Sequence, residues 1–380
     1  MNRFAQAATQ DTSRINPSNR FGVDYAAEAA TFSPLPFPII DVHSHINGPK
    51  AARIYQKAAE LYGIGLTYSM TQLEEVQAMR EVFGDRIRFI AVPRWSGQDK
   101  KHDMGAGFIE RIEGYHALGC RITKFWAAPR SVEIAKSIGD PTLMRLDSPV
   151  RQQAMQVAHD LGMYFMTHIA DPDTWFATKY ADASIYGSKS DQYLPLERML
   201  DRFTQPWIAA HMGGWPENLG FLNGLLDRHP NLYLDTSAAK WMIREISQQP
   251  RQQLIEFLTR FKGRILFGSD IVTMDEHLAP AENKMEMAAK ASDREQAFDL
   301  YASRYWALRK LWESDERGES PIADPDLKMV APDRHSDMDA PMLIGKSLPR
   351  DLLGSLYHDA AHTLLEPLHA QSQAGATQRM

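Results

Sequence analysis

The feature that most constrains this chain is an alternation. Short apolar runs recur along it, and segments with helical periodicity lie between them. The runs fall at 38–45, 64–70, 87–92, 120–126, 163–168, 206–211, 232–236 and 264–270. Near-continuous apolar runs are what parallel strands need when helices cover the sheet. The spacing predicts an α/β chain folded as a (β/α)8 barrel of the TIM type. The competitor is a doubly wound open sheet. No G-x-G-x-x-G or phosphate-loop pattern follows any run, which weakens a nucleotide-binding reading.

Local signals support the intervening helices. Gly63, Gly119 and Gly162 stop three of them. Ser148 followed by Pro149 reads as an N-cap with proline in the first turn. Thr71 with Glu74 reads as a near capping box. A helical stretch at 241–261 is interrupted near Pro250, and 297–312 carries a dense set of aromatic residues. The expected organisation is an irregular N-terminal arm at 1–36 and a barrel at 37–368, with 273–348 as a long insertion or lid after strand eight. A short tail follows at 369–380. The closing helix has an apolar stripe at Leu352, Leu353, Leu356, Ala360 and Leu364.

Composition narrows the functional classes. A 380-residue chain with 44% hydrophobic residues can bury one large core. A net charge of -6 argues against nucleic-acid and anionic-membrane partners. A single cysteine, Cys120, rules out an internal disulfide framework and fits a reducing compartment. Residues 1–34 lack the apolar segment of a secretory signal, and no window reaches the roughly 18 apolar residues of a membrane span. A cytoplasmic location is expected, with a small-molecule substrate and a possible homo-oligomeric state.

The chemistry-bearing residues sit at predicted strand ends. His43 and His45 close the first run, and alternation puts both on one face. His168 ends strand five, His211 ends strand six and Asp270 ends strand eight. A barrel brings these ends to one mouth. Imidazoles and a carboxylate without cysteine suit Zn²⁺, Mn²⁺ or Fe²⁺. Arg94, Lys124, Lys240 and Arg244 follow or end other strands and could hold an acidic substrate, or else pair with loop carboxylates. Trp95, Trp126, Trp175, Trp215 and Trp241 also follow strand ends, so Trp126 and Trp241 are taken as part of an aromatic substrate wall.

Asp-Val-His43-Ser-His45, Thr-His168, Ala-His211-Met-Gly-Gly and Phe-Gly-Ser-Asp270 together resemble the amidohydrolase superfamily. The chain is most similar to the amidohydrolase-2 branch, which includes aminocarboxymuconate-semialdehyde decarboxylase-like proteins. The resemblance covers about 38–270 and resumes at 348–365. It implies that His43, His45, His168 and Asp270 bind one metal, most often Zn²⁺, and that His211 acts beside it. It implies a metal-dependent hydrolase of an amide, ester or lactone, with Asp270 and His211 catalytic. In that role His211 would polarise a carbonyl or stabilise an oxyanion. It leaves open nonoxidative decarboxylation of a small aromatic or unsaturated acid at the same site. In dinuclear members a strand-four lysine is carbamylated, which would give Lys124 a bridging role; the mononuclear branch is the nearer one.

Overall fold

The computed structural model describes residues 15–280 and 284–377, with side chains described as far as 369. Its centre is a parallel sheet: β1 (Ile39–Ile46), β2 (Ile64–Ser69), β3 (Ile87–Ala91), β4 (Ile122–Trp126), β5 (Tyr164–His168), β6 (Trp207–Ala209), β7 (Leu232–Asp235), β8 (Ile265–Leu266) and β9 (Ile271–Thr273). The strand order runs β8-β7-β6-β5-β4-β3-β2-β1-β9, and every neighbouring pair is parallel. β8 pairs with β7 while β9 pairs with β1. The two are halves of one broken stave. Between them the Val42 amide donates to the Phe267 carbonyl at 2.9 Å and the Asp270 amide to the His43 carbonyl at 2.8 Å, which closes the barrel. Eight staves wrapped in helices form the expected α/β barrel.

The strands are buried because they are apolar on both faces. Ile39, Val42, Ile90, Ile122, Phe165, Ile208 and Leu234 belong to one continuous core with the helices outside. Several helix signals hold. Ser148 accepts from the Arg151 amide ahead of the helix Pro149–Asp160. The helical stretch breaks at Pro250 as expected: a π-helical turn, Met242–Ile246, lies before it and the helix Arg251–Arg260 after it. Leu352, Leu353, Leu356, Ala360 and Leu364 are all buried.

Thr71 is not a helix cap. Its hydroxyl donates to the Ile46 carbonyl and bonds Ser69, so it ties the end of β2 to the end of β1. The next turn is tight, Leu73–Glu75, and the helix proper is Val76–Phe83.

The segment 273–348 is joined to the barrel core. Its helix Arg294–Glu313 packs on the helix Pro49–Leu61, and Tyr301, Tyr305, Trp306, Leu311 and Leu343 share the common core. Residues 15–36 dock on the same helix. The Asn19 side chain donates to Asp299 at 2.9 Å, the Arg20 amide donates to the Pro321 carbonyl at 2.8 Å, and Tyr25–Ala29 forms a short helix. Residues 1–14 of the expected arm lie outside the described residues. The final helix, Ala360–Thr377, runs on through most of the expected tail. Among the described residues no helix is long and apolar enough to cross a membrane.

Candidate metal centre

The mouth at the C-terminal strand ends is built on backbone held in an uncommon conformation. His211 and Met212 have φ of 58° and 52°, and Gly213 and Gly214 continue the left-handed turn at 64° and 79°. Asp270 has φ of 59° and marks the break between β8 and β9. Left-handed backbone costs about 1–2 kcal/mol per non-glycine residue and persists only where surroundings enforce it. Here the enforcement is visible. Asp41 accepts hydrogen bonds from the Ser269 amide and hydroxyl at 3.1 and 2.6 Å, and from the Tyr305 hydroxyl at 2.7 Å. Gly268 lets the broken stave approach, because a Cβ there would meet His43 Cβ at 2.9 Å and Ser237 Cβ at 3.0 Å.

His43, His45 and Asp270 converge. Asp270 Oδ1 lies 3.4 Å from His43 Nε2 and 3.2 Å from His45 Nε2. Burial works against the Asp270 charge, but His43 and His45 together hold its carboxyl well below the usual range. Asp270 and His45 are each about one-third exposed, so the group opens to a cavity, whereas His43 is buried.

Asp235 supports this group from below. His43 Nδ1 donates to Asp235 Oδ2 at 2.8 Å, which fixes the ring with Nε2 turned toward Asp270 and His45. Burial opposes the Asp235 charge as well, and the His43 ring with its hydrogen bond overrides it and holds the carboxyl far below the usual range. Ser237 donates a short hydrogen bond to Asp235 Oδ1 and accepts from His211 Nδ1 at 2.8 Å. The proton of neutral His211 is therefore assigned to Nδ1, and Nε2 offers a lone pair. Burial keeps this imidazole neutral.

His168 sits beside this cluster without joining it. Its ring lies 4.5 Å from that of His211, but its Nε2 bonds Asp171 Oδ1 at 2.7 Å, and Tyr180 donates to the other Asp171 oxygen at 2.7 Å. The groups able to hold an ion among the described residues are His43, His45 and Asp270, and His43, His211 and Asp235. His168 is thus oriented by a carboxylate as His43 is, with Nδ1 left as its lone-pair nitrogen.

The donor set fits a divalent metal. Two imidazole nitrogens and a carboxylate face one point, and two of the expected ligands, His43 and His168, each give their other ring nitrogen to a buried aspartate. That pairing fixes the tautomer a ligand needs. Lys124 on β4 adds a buried ammonium with no hydrogen-bond partner in this structure. Burial lowers it to about 8, against the pull of Asp235 and Asp270.

The expected substrate residues divide. Trp126 and Trp241 flank the imidazoles, with ring centroids 6.4 and 6.2 Å from His168, and Trp241 lies 5.3 Å from His211. Trp241, Trp175 and Lys240 line a cavity of about 760 Å³ that reaches Asp270. Arg94 is half exposed and pairs with Glu74 at 3.6 Å, away from this cavity. Arg244 is buried among Glu245, Asp324 and Asp326, so its guanidinium already has partners. Trp215 packs on Tyr193 and Phe221. Sequence reading missed Asp235, Asp171 and Ser237. Asp235 ends the run Leu-Tyr-Leu-Asp, the same strand-end signal that located the histidines.

A closed α/β barrel with histidines and an aspartate converging at its C-terminal mouth defines a metal-dependent enzyme of the barrel type. The amidohydrolase family model matches residues 40–300, and the chain belongs to that family. The match continues about thirty residues past Asp270, into the helix Arg294–Glu313. No curated protein matches the chain. Among solved structures, the chain is similar to a zinc-bound amidohydrolase from Burkholderia multivorans, at 12% identity over 86% of this chain and 98% of that one, with a TM-score of 0.44. It is also similar to 2,6-dihydroxybenzoate decarboxylase from Rhizobium, at 15% identity over 70% and 98%, with a TM-score of 0.32. A third is 5-carboxyvanillate decarboxylase from Novosphingobium aromaticivorans, complexed with manganese, at 12% identity over 71% and 93%, with a TM-score of 0.29.

Proposed function

We propose that this protein is a metal-dependent hydrolase that cleaves an amide, ester or lactone of a small, acidic and partly aromatic substrate. The observation that supports it best is the convergence of His43 Nε2, His45 Nε2 and Asp270 Oδ1 at the break in the eighth stave. His43, His45 and Asp270 would hold one divalent ion, Zn²⁺ in the first instance, with His168 as a further ligand through Nδ1. Such an ion brings the pKa of a water to roughly 7 and polarises a carbonyl.

The chain's own groups do the rest. Asp270, ionised and open to the cavity, accepts the proton of the attacking water and passes it to the leaving group. His211, neutral with a lone pair on Nε2, takes a hydrogen bond or a proton from the substrate. Trp241 and Trp175 give the bound molecule an apolar wall.

Decarboxylation at the same site is the second reading. Its support is the set of cations near Asp270, since a carboxylate must be placed before it can leave as carbon dioxide. One experiment separates the two. Metal-loaded protein is incubated in ¹⁸O-water with lactones, amides, esters and hydroxybenzoic acids. Hydrolysis puts label into the product and releases no carbon dioxide. Carbon dioxide released with no label incorporated would replace the hydrolase reading with the second, and no turnover at all would remove both.

A further inference from the structure

Three cations near Asp270 make no ion pair with any described carboxylate. Lys240 comes from the short helix Ala239–Trp241 after β7, Lys290 from the segment after β9, and Arg304 from the helix Arg294–Glu313. All three line the cavity of about 760 Å³ that reaches Asp270. Lys290 and Arg304 also line, with Asp270, an adjoining recess of about 80 Å³.

Of the other charged groups on the cavity wall, Arg130, Lys328, Asp337 and Asp326 are matched, whereas Lys179 and Glu286 make no ion pair among the described residues. Arg130 pairs with Glu133 at 3.4 Å and Lys328 with Asp337 at 2.6 Å. Lys179 stands 3.9 Å from the Trp175 ring centroid. Asp326 accepts from Arg244, Trp175 and Trp241. By contrast, Lys290 has the Met287 sulfur at 3.0 Å, and Arg304 has the hydroxyls of Ser18 and Ser303 at 2.7 and 2.8 Å. No ion pair forms at Lys240, Lys290 or Arg304 with any described carboxylate; Glu286 and Asp270 draw on Lys290 from beyond pairing distance.

Burial lowers Lys290 to about 8, helped by the charges of Lys240 and Arg304, and burial lowers Arg304 to about 10. Lys290 is nonetheless exposed and Lys240 and Arg304 are partly exposed, so all three face the cavity as like charges, and an anion that enters among them relieves their mutual repulsion. Trp175 and Trp241 line the same cavity and give the ligand an apolar face.

The geometry points to a receptor for a second carboxylate, formed by Lys240, Lys290 and Arg304, which makes the substrate a small dicarboxylic acid or its cyclic or acyl derivative. The assignment rests on the hydrolase reading only in placing the reacting bond at Asp270. Two carboxylates on one small molecule would then span the cavity, one end at the barrel mouth and one at the segment after β9.

The test is calorimetric binding to full-length protein of known metal content. The probes are butanedioate, hexanedioate and benzene-1,3-dicarboxylate, each set against its own monomethyl ester. At least one diacid should bind wild type about ten-fold or more tightly than its ester. Lys290→Met and Arg304→Gln should bring that ratio to within about two-fold, while Lys290→Arg retains it, with thermal unfolding reporting that each variant is folded. Equal affinity of diacid and ester in wild type overturns the receptor, as does no binding, or a ratio unchanged in both variants. A wild type that binds no metal yet keeps the ratio refutes the hydrolase reading and supports the receptor. A wild type that binds metal and shows no preference refutes the receptor alone.

Discussion

Lys240 and Arg244 lie one turn apart on the helical segment after β7, and they meet opposite fates. Arg244 is buried with its guanidinium bonded to Asp324, Asp326, Glu245 and Thr174. Lys240 faces the cavity and makes no ion pair among the described residues. A sequence cannot separate the two, because both are cations following a strand end. The structure separates them by partners: a charge the protein has already neutralised holds the fold, and a charge left open is available to a ligand. The same rule divides Asp235, enclosed beneath the imidazoles, from Asp270, open above them.

The contrast can be broken first at Arg244. Arg244→Met leaves Glu245, Asp324 and Asp326 without their cation and should cost about 3–5 kcal/mol of stability. Lys240→Met should change stability by less than about 1 kcal/mol. Urea unfolding of the two variants checks this, and equal losses would erase the distinction.

His211 gives the next largest effect. His211→Asn should lower kcat by about 10²–10⁴ while leaving metal content near that of wild type. If metal is lost as fully as in His168→Ala, then His211 is a ligand.

Asp235 sharpens the other half of the comparison. Asp235→Asn removes the carboxylate that fixes the His43 tautomer and should weaken metal affinity by about 10–100-fold in chelator competition. Asp171→Asn should act in the same direction through His168. An unchanged affinity in both would show that neither aspartate orients a ligand.

The smallest expected effect is a pH dependence. Burial and the neighbouring cations depress Lys290 to about 8, so its ammonium is lost as pH rises through that value. Affinity for a dicarboxylate should be greatest well below about pH 8 and decline as pH rises through that value, and Lys290→Arg should flatten the decline. Calorimetry between about pH 7 and pH 9.5 reads this directly. A wild-type curve no steeper than the Lys290→Arg curve would show that Lys290 does not hold the ligand.

Most of the barrel is legible in the sequence because its strands are apolar runs bounded by helices. Those strands carry His43, His45, His168 and Asp270 at their ends, which is why a local pattern could find them. The broken stave was not legible: 264–270 reads as one strand, and the positive φ of Asp270 leaves no mark on residue type. The docking of residues 15–36 was hidden for a related reason. Asn19 and Asp299 are far apart in sequence and make their bond only after the barrel has closed. Asp171 and Ser237 follow strands, in loops without periodicity. Asp235 lay within reach of the same strand-end argument, and a polar residue closing Leu-Tyr-Leu was signal enough.

The central claim is that His43, His45 and Asp270 hold one divalent ion. Its most direct test is metal per chain by elemental analysis, on protein purified without chelator, for wild type, His45→Ala and Asp270→Asn. The account predicts about one Zn²⁺ or Mn²⁺ per wild-type chain and a large loss in both variants. No metal in wild type even after reconstitution, or full metal in both variants, would contradict it. About two ions per chain would contradict the single-ion site and turn attention to Lys124 as a bridge.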